Sequence, residues 1–192
     1  MARTRKPKAT ASTLRIIGGQ WRGRKLTFSP APGLRPTTDR VRETLFNWLA
    51  PVIHQARCLD LFAGSGALGL EAASRGAREV VMLDLSARVV RQLEANRELL
   101  GLTRVKVVKA DALHWLQQGA RPFDVVFLDP PFAADLLDEV CQRLETEGWL
   151  AANAMIYLED DAGRDFPSLP ANWQWFRQQR AGQVHFGLAR RC

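Results

Sequence analysis

The stretch DLFAGSGALG at residues 60–69 decides the fold of this 192-residue chain. Its three glycines have the G-x-G-x-x-G spacing, and the apolar residues just before Asp60 are typical of a buried strand. Asp84 ends the next apolar run, where a ribose-binding acid is expected. The stretch therefore predicts a strand, a glycine turn and a helix that together bind a nucleotide-like ligand.

Apolar runs and helix-like segments alternate over the rest of the chain. Such alternation is typical of an α/β fold with parallel strands and helices on both faces. Two final apolar segments flank a turn at residues 181–182 and predict a closing antiparallel hairpin. We therefore predict a doubly wound, mostly parallel, seven-stranded Rossmann-like sheet. Its strands are predicted at residues 58–61, 80–83, 105–108, 125–128, 155–158, 173–177 and 184–188.

Positive charge is concentrated at the N-terminus. Residues 1–35 contain nine Lys and Arg and no Asp or Glu, which gives +9 in a chain whose net charge is +7, so the remainder carries −2. A basic arm with interspersed aromatic residues, Trp21 and Phe28, on a nearly neutral body is typical of a protein that binds a polyanion. The candidate RNA-binding residues are Arg15, Arg22, Arg24, Lys25 and Arg35.

The same pattern divides the chain into three regions. Residues 1–13 are basic, small and polar, and we predict that they form a disordered tail. Residues 14–36 are predicted to form a basic β-hairpin extension followed by a Pro/Gly linker. Residues 37–192 are predicted to form the main domain, which begins with a helix from Asp39.

Composition excludes several classes of protein. Cys58, Cys141 and Cys192 are odd in number and far apart, which argues against a disulfide framework or a zinc site and favours a reducing compartment. No apolar stretch is long enough to cross a bilayer, and the basic N-terminus is not followed by the apolar segment of a secretory signal. We predict a cytoplasmic monomer with no bound metal and no membrane partner.

An aspartate ends each of the first four predicted strands: Asp60, Asp84, Asp111 and Asp129. Because the carboxyl ends of the strands line the ligand crevice of an open α/β sheet, the four acids are expected to surround one cleft. A helix cap could account for one such acid. Capping does not account for all four acids beside a glycine turn.

Asp60 decides which ligand the cleft binds. The glycine spacing alone would also fit a nicotinamide-dependent dehydrogenase, but a carboxylate beside the turn would repel the pyrophosphate of that cofactor. S-Adenosylmethionine has no phosphate and carries a sulfonium and an ammonium group. We therefore predict this cofactor, with Asp84 on the ribose hydroxyls and Asp111 on the adenine. The predicted cofactor-binding residues here are Asp60, Phe62, Gly64, Gly66, Asp84, Asp111 and Ala112.

The sequence Asp129-Pro130-Pro131-Phe132 is predicted to carry the chemistry. Two successive prolines fix the backbone, so that the Asp129 carboxylate and the Pro130 carbonyl are held as acceptors. The exocyclic amine of a nucleobase is a weak nucleophile, and two acceptors on its N–H bonds would stabilise the positive charge that develops on nitrogen. Phe132 would stack on the base. Methylation of cytosine C5 is disfavoured because it needs a cysteine in this loop.

The N-terminal block gives a more specific resemblance. RIIGGQWRGRKL at residues 15–26 and GLRPTTDRVRETLFNW at residues 33–48, together with DLFAGSG and DPPF, resemble the RsmD family, bacterial enzymes that methylate N2 of a guanine in small-subunit ribosomal RNA. The resemblance implies a class I methyltransferase domain, with ribosomal RNA or the assembling small subunit as the partner. It also implies that the helix from Asp39 covers the methionine end of the cofactor. By the same resemblance Thr37, Thr38 and Arg40 lie near the cofactor.

Two other functions remain open on the sequence alone. The DPPF motif also occurs in adenine-N6 methyltransferases that act on DNA or tRNA, although this chain has little room for a separate target-recognition domain. A non-catalytic RNA-binding assembly factor could keep the fold, but the intact motif and the four acids argue against it. The sequence therefore favours a guanine-N2 methyltransferase of small-subunit ribosomal RNA.

Overall fold

Strands and helices alternate along the described part of the chain, residues 12–28, 37–131 and 135–192 of this computed structural model. The N-terminal elements are β1 (Ser12–Arg15), β2 (Lys25–Phe28) and α1 (Asp39–Trp48). The alternating unit follows with β3 (Arg57–Asp60), α2 (Ala67–Ser74), β4 (Glu79–Asp84), α3 (Ala87–Leu99), β5 (Val105–Lys109), α4 (Ala112–Leu116), β6 (Phe123–Leu128) and α5 (Leu137–Thr146). The last strands are β7 (Leu150–Asp161), β8 (Trp173–Ala181) and β9 (Val184–Arg191). The predictions for residues 1–11, Arg35 and Phe132 lie outside the described residues.

Seven strands form one sheet in the order β5-β4-β3-β6-β7-β9-β8. The first five are parallel, and β9 runs antiparallel between β7 and β8. The predicted fold class, a doubly wound and mostly parallel sheet with a closing antiparallel hairpin, is therefore confirmed. The strand order reverses between β3 and β6, so the crevice where such sheets bind ligands lies at the carboxyl ends of these two strands.

The side chains of the sheet alternate between two hydrophobic cores. On one face, which we call the α1 side, Phe127 and Tyr157 pack with buried residues of α1, α2 and α3. On the other, the α4 side, Leu128 and Leu158 pack with buried residues of α4 and α5. Because successive strand residues point to opposite faces, the positions two residues beyond Phe127 and Tyr157 point to the α1 side.

The N-terminal hairpin begins earlier than predicted. Ser12 pairs with Phe28, so the prediction that residues 12 and 13 belong to a disordered tail is wrong. Leu14 and Phe28 are buried against Ala67 at the start of α2, and this contact stabilises the strand from its first residue.

The turn of the hairpin spans residues 16–24. Ile16 still exchanges main-chain hydrogen bonds with residues 23 and 24, and residues 17–21 lie against α2. The Gln20 amide donates to the Ser74 carbonyl at 2.8 Å. Gly19 has a φ of 74°, and a Cβ there would stand 1.9 Å from the Ser74 carbonyl oxygen. Only glycine allows this approach of the turn to the helix.

A buried ion-pair network attaches the hairpin to the main domain. The fully buried Arg42 of α1 donates to the Arg15 carbonyl at 3.0 Å and lies 3.7 Å from the Glu71 carboxylate of α2. Glu71, also fully buried, accepts hydrogen bonds from the Ile17 amide at 2.9 Å and from Arg75 at 2.7 Å. The extension is therefore fixed on α1 and α2 by charge-assisted hydrogen bonds.

Two later elements differ from their predicted bounds. β7 begins at Leu150 instead of at residue 155, because Asn153 has a φ of 61° and interrupts the regular alternation that indicates a strand. α5 begins at Leu137, whereas the sequence pattern predicts a helix from about residue 134 to residue 144. In residues 12–28, 37–131 and 135–192, no helix is both long and apolar enough to cross a membrane.

Candidate active site

The glycine turn joins the carboxyl end of β3 to α2. Gly66 has a φ of 79°, and a Cβ there would stand 2.6 Å from the Leu93 side chain of α3, so the turn requires glycine at this point. The Gly64 amide donates to one Asp84 carboxylate oxygen at 3.1 Å, and the Ser86 amide donates to the other at 2.7 Å. Asp84 thereby ties the turn to the end of β4, and its contact with a ribose stays a prediction.

Asp60 is buried at the end of β3, with 2 % of its surface exposed. One carboxylate oxygen accepts a hydrogen bond from the Gly69 amide at 3.0 Å. Burial raises the pKa of Asp60 to about 7, although hydrogen bonds from the Gly69 and Phe62 amides act in the opposite direction. A positive group in the cleft would stabilise the charged carboxylate, which is the property expected of a residue that faces a cationic cofactor.

Asp111 is the N-cap of α4. Its carboxylate accepts a hydrogen bond from the His114 amide at 2.9 Å. Capping therefore gives this exposed acid a local role, and the contact of Asp111 and the buried Ala112 with adenine stays a prediction. Phe62 is half-buried and packs on the α4-side core.

The Asp129 carboxylate lies at the carboxyl end of β6. Thr37, which is buried just before α1, donates its hydroxyl to this carboxylate at 3.2 Å. Burial raises the pKa of Asp129 well above its ordinary value, and the charges of Glu159 and Asp60 raise it further. The Thr37 hydrogen bond lowers it. The first residue of the predicted catalytic motif is thus desolvated and surrounded by other acids.

Two residues of β7, the strand next to β6, were not among the site residues predicted from the sequence. Tyr157 is buried and donates its hydroxyl to the Glu159 carboxylate at 2.5 Å, and only 3 % of Glu159 is exposed. Burial raises the pKa of Glu159, whereas the hydrogen bond from Tyr157 lowers it. The rule that located the four strand-end aspartates would have found Glu159 too, had it been applied to the fifth strand.

The start of α1 forms one wall of a cleft. Thr38 caps the helix by accepting a hydrogen bond from the Val41 amide at 3.3 Å, and Arg40 is exposed. A cavity of about 310 Å³ separates this end of α1 from the hairpin. Its walls include Thr13, Arg15, Lys25, Thr37, Thr38 and Asp39. The cleft therefore connects the basic hairpin to the residue that holds Asp129.

The basic side chains of the hairpin are exposed, namely Arg15, Arg22, Arg24 and Lys25. The two interspersed aromatic residues instead pack within the protein: Phe28 is buried, and the Arg104 guanidinium lies 5.4 Å from the centre of the Trp21 ring. The hairpin therefore presents charge to the solvent more than aromatic surface. Pro130 of the DPPF motif is buried and Pro131 is exposed.

Asp60 ends β3, Asp129 follows β6, and Glu159 lies in β7 just beyond the last residue of that strand that pairs with β6. In the described part of the chain, no Lys or Arg forms an ion pair with any of them. The described part of the chain also contains no group of three or more His, Cys, Asp or Glu that could hold a metal ion. The cluster thus offers hydrogen-bond acceptors and negative charge to a ligand that carries donors or positive charge.

Known proteins resemble this chain over almost its whole length. A family model described as conserved hypothetical protein 95 matches residues 14–190. Ribosomal RNA small subunit methyltransferase D of Escherichia coli K12 is 52 % identical over 188 residues, 97 % of this chain and 95 % of that protein. The protein of the same name from Haemophilus influenzae is 46 % identical over 180 residues, 91 % of this chain and 92 % of that protein. The solved structure of yhhF from Escherichia coli has a TM-score of 0.87 at 50 % identity and covers 94 % of this chain and 98 % of its own. The chain therefore belongs to the family described as conserved hypothetical protein 95, and its resemblance to the RsmD proteins is confirmed.

Proposed function

We propose that the chain is an S-adenosylmethionine-dependent methyltransferase that modifies the exocyclic N2 amine of a guanine in small-subunit ribosomal RNA. The observation that carries the proposal is the Asp129 carboxylate, which Thr37 holds at the end of β6 beside Asp60. The relatives that match nearly the whole chain are named as methyltransferases of small-subunit ribosomal RNA.

The cleft fits a cationic cofactor in two respects. The buried Asp60 carboxylate would be stabilised by a positive group, and Asp84 at the end of β4 would reach the ribose. When bound, S-adenosylmethionine supplies a methyl group activated by its sulfonium.

Asp129 would accept a hydrogen bond from one N–H of the target amine, and the Pro130 carbonyl would accept one from the other. Because Asp129 is largely desolvated, its charge acts on the amine with little screening by water. Thr37 fixes one carboxylate oxygen and leaves the other for the substrate. The raised pKa of Asp129 also makes it a suitable acceptor for the proton that the nitrogen loses after methyl transfer.

The exposed basic hairpin gives the RNA a path to the site. Arg15 and Lys25 line the cleft that leads to Thr37, and Arg22 and Arg24 extend the positive surface outwards. We infer that ribosomal RNA or the assembling small subunit binds along this path. We infer further that a single chain acts in the cytoplasm, where such RNA is assembled.

The test is incubation with tritiated S-adenosylmethionine and, in parallel, undermethylated small ribosomal subunits, tRNA or plasmid DNA, followed by nucleoside analysis. Label is expected in N2-methylguanosine from the small subunit. Label in N6-methyladenine would overturn the proposal in favour of the adenine enzyme. The absence of label from all three substrates, with the cofactor bound, would favour the non-catalytic assembly factor.

A further inference from the structure

We infer that Glu159 selects guanine by accepting the N1–H of the base while Asp129 accepts an N2–H. This inference rests on the proposed function and adds the residue that distinguishes guanine from adenine. Asp129 and the prolines after it do not make this distinction, because both bases carry an exocyclic amine.

The sheet places the two carboxylates side by side. Leu128 pairs with Leu158 in the parallel register of β6 and β7, so Asp129, the residue directly after β6, and Glu159 of β7 occupy the next position of that register. Neighbouring strands are about 4.8 Å apart, and residues at paired positions point to the same face. The charge of Glu159 raises the pKa of Asp129, as expected for two carboxyls at this separation.

The Glu159 carboxylate is held in place by one hydrogen bond and can accept further ones. Tyr157 donates to one carboxylate oxygen at 2.5 Å, and this is the one hydrogen bond that the Glu159 side chain forms with the described residues. With 3 % of the residue exposed, water satisfies little of the remaining acceptor capacity. A buried acceptor without a donor is costly, so a donor from the bound base would stabilise this carboxylate.

Guanine and adenine differ at the edge that would meet these acceptors. Guanine presents two donors side by side, N1–H and N2–H, whereas adenine presents its N6–H beside an unprotonated N1 that is itself an acceptor. Two adjacent carboxylates therefore match guanine. Adenine would place the N1 lone pair against the Glu159 charge and leave that charge unpaired, which is the kind of mismatch that gives strong discrimination.

The test uses an RNA fragment that carries the methylated position either as guanine or as 2-aminopurine, which keeps the N2 amine but has an unprotonated N1. We expect the wild type to prefer guanine by roughly 100-fold in kcat/KM, the range of one charge-assisted hydrogen bond. In Glu159→Gln the amide can turn its NH2 towards the unprotonated N1, so the preference should fall by at least about 10-fold. The intrinsic reactivity of the two bases is the same for both enzymes and cancels in this ratio.

Two variants serve as controls. Asp160→Asn removes a carboxylate from the next residue of β7, which points to the α4 side, and should keep the wild-type preference. Glu159→Asp keeps the charge, and should lower the rate but preserve the preference for guanine. If Glu159→Gln does not fold, Tyr157→Phe replaces it: release of the Glu159 carboxylate should weaken the preference, and an unchanged preference would count against the inference.

The outcomes separate the inference from the proposed function. An equal loss on guanine and 2-aminopurine in a folded Glu159→Gln variant would overturn the role of Glu159 and leave the proposed function intact. Methylation of adenine instead of guanine by the wild type would overturn both.

Discussion

Two sets of buried charges lie on the α1 side of the sheet, and the protein neutralises one of them but not the other. Arg42 and Glu71 face each other at 3.7 Å with no exposed surface, Asp39 also pairs with Arg42, and main-chain groups of the hairpin add a hydrogen bond to each of the two buried side chains. Asp60, Asp129 and Glu159 have no Lys or Arg partner within residues 12–28, 37–131 and 135–192, and the pKa of each carboxyl is raised.

The Arg42–Glu71 pair therefore stabilises the fold, whereas the three uncompensated carboxyls are available to bind a ligand. The compensated pair fixes the hairpin on the helices, and a ligand would add nothing to it. The acidic cluster is unfavourable when ionised, because burial and mutual repulsion both oppose the charge. Desolvated acids with perturbed pKa values in a cleft are typical of functional sites. A cationic cofactor and a base rich in N–H donors would stabilise them.

The largest expected effect comes from breaking the compensated pair. Glu71→Ala should lower the free energy of unfolding by about 3–5 kcal/mol, because it removes one of the two carboxylates that pair with the buried Arg42 and leaves the Ile17 amide without its acceptor. Urea denaturation monitored by circular dichroism measures this loss. Glu98→Ala is the matched control, since Glu98 is exposed on α3 and should change stability little. Losses of equal size in the two variants would contradict a structural role for the buried pair.

Breaking the acidic cluster should instead lower activity. Asp129→Ala is expected to reduce the single-turnover rate by roughly 100- to 1000-fold, the usual result of removing one preorganised electrostatic partner. Its stability and cofactor affinity should be retained, because the variant removes a half-buried carboxyl that forms one hydrogen bond, with Thr37, and no ion pair with the described residues. Asp165→Ala, at an exposed aspartate, provides the control. A wild-type rate in Asp129→Ala would remove this residue from the mechanism.

Asp60 should make the free energy of unfolding depend on pH. Its folded pKa of about 7 lies above the ordinary value of 3.8, so its stabilising contribution is complete below about pH 4 and is lost as pH rises towards 7. Between pH 5 and pH 8, the ligand-free wild type should lose roughly 2–3 kcal/mol more unfolding free energy than Asp60→Asn. Asparagine keeps an acceptor for the Gly69 amide but does not titrate. If the unfolding free energies of the two proteins change by the same amount with pH, Asp60 is not the group whose titration lowers the stability.

The parts of the fold that follow from local pattern were predictable. The apolar runs of the alternating unit fixed the order of strands and helices, and the strand-end rule located Asp60 and Asp129 before any contact was known. The negative charge of Asp60 beside the glycine turn was sufficient to predict the cofactor. The roles predicted for Asp84 and Asp111 did not include a structural one. Asp84 accepts a hydrogen bond from the Gly64 amide, and Asp111 accepts one from the His114 amide.

Other features depend on contacts between distant segments and could not be predicted from local pattern. Arg42 lies in a helix with many charged residues, where a single sequence suggests exposure, and its burial depends on the meeting of α1, α2 and the hairpin. The long turn of the hairpin depends likewise on the Ser74 carbonyl of α2. Glu159 is the exception, since it could have been found at the end of its strand.

The smallest expected effect concerns Arg24 of the hairpin, which is exposed and forms no ion pair with the described residues. Arg24→Gln removes one exposed positive charge and should leave the unfolding transition and cofactor binding unchanged. If Arg24 contacts an RNA phosphate, the log–log salt dependence of RNA binding should become shallower by about one unit, because one fewer counterion is released. Arg180→Gln is the matched control, since Arg180 is equally exposed but lies on β8 at the opposite edge of the sheet. Affinities measured over a salt series for the wild type and both variants give the slopes directly. The same slope in all three proteins would mean that Arg24 does not track the RNA backbone, and equal flattening in both variants would mean that net charge alone drives binding.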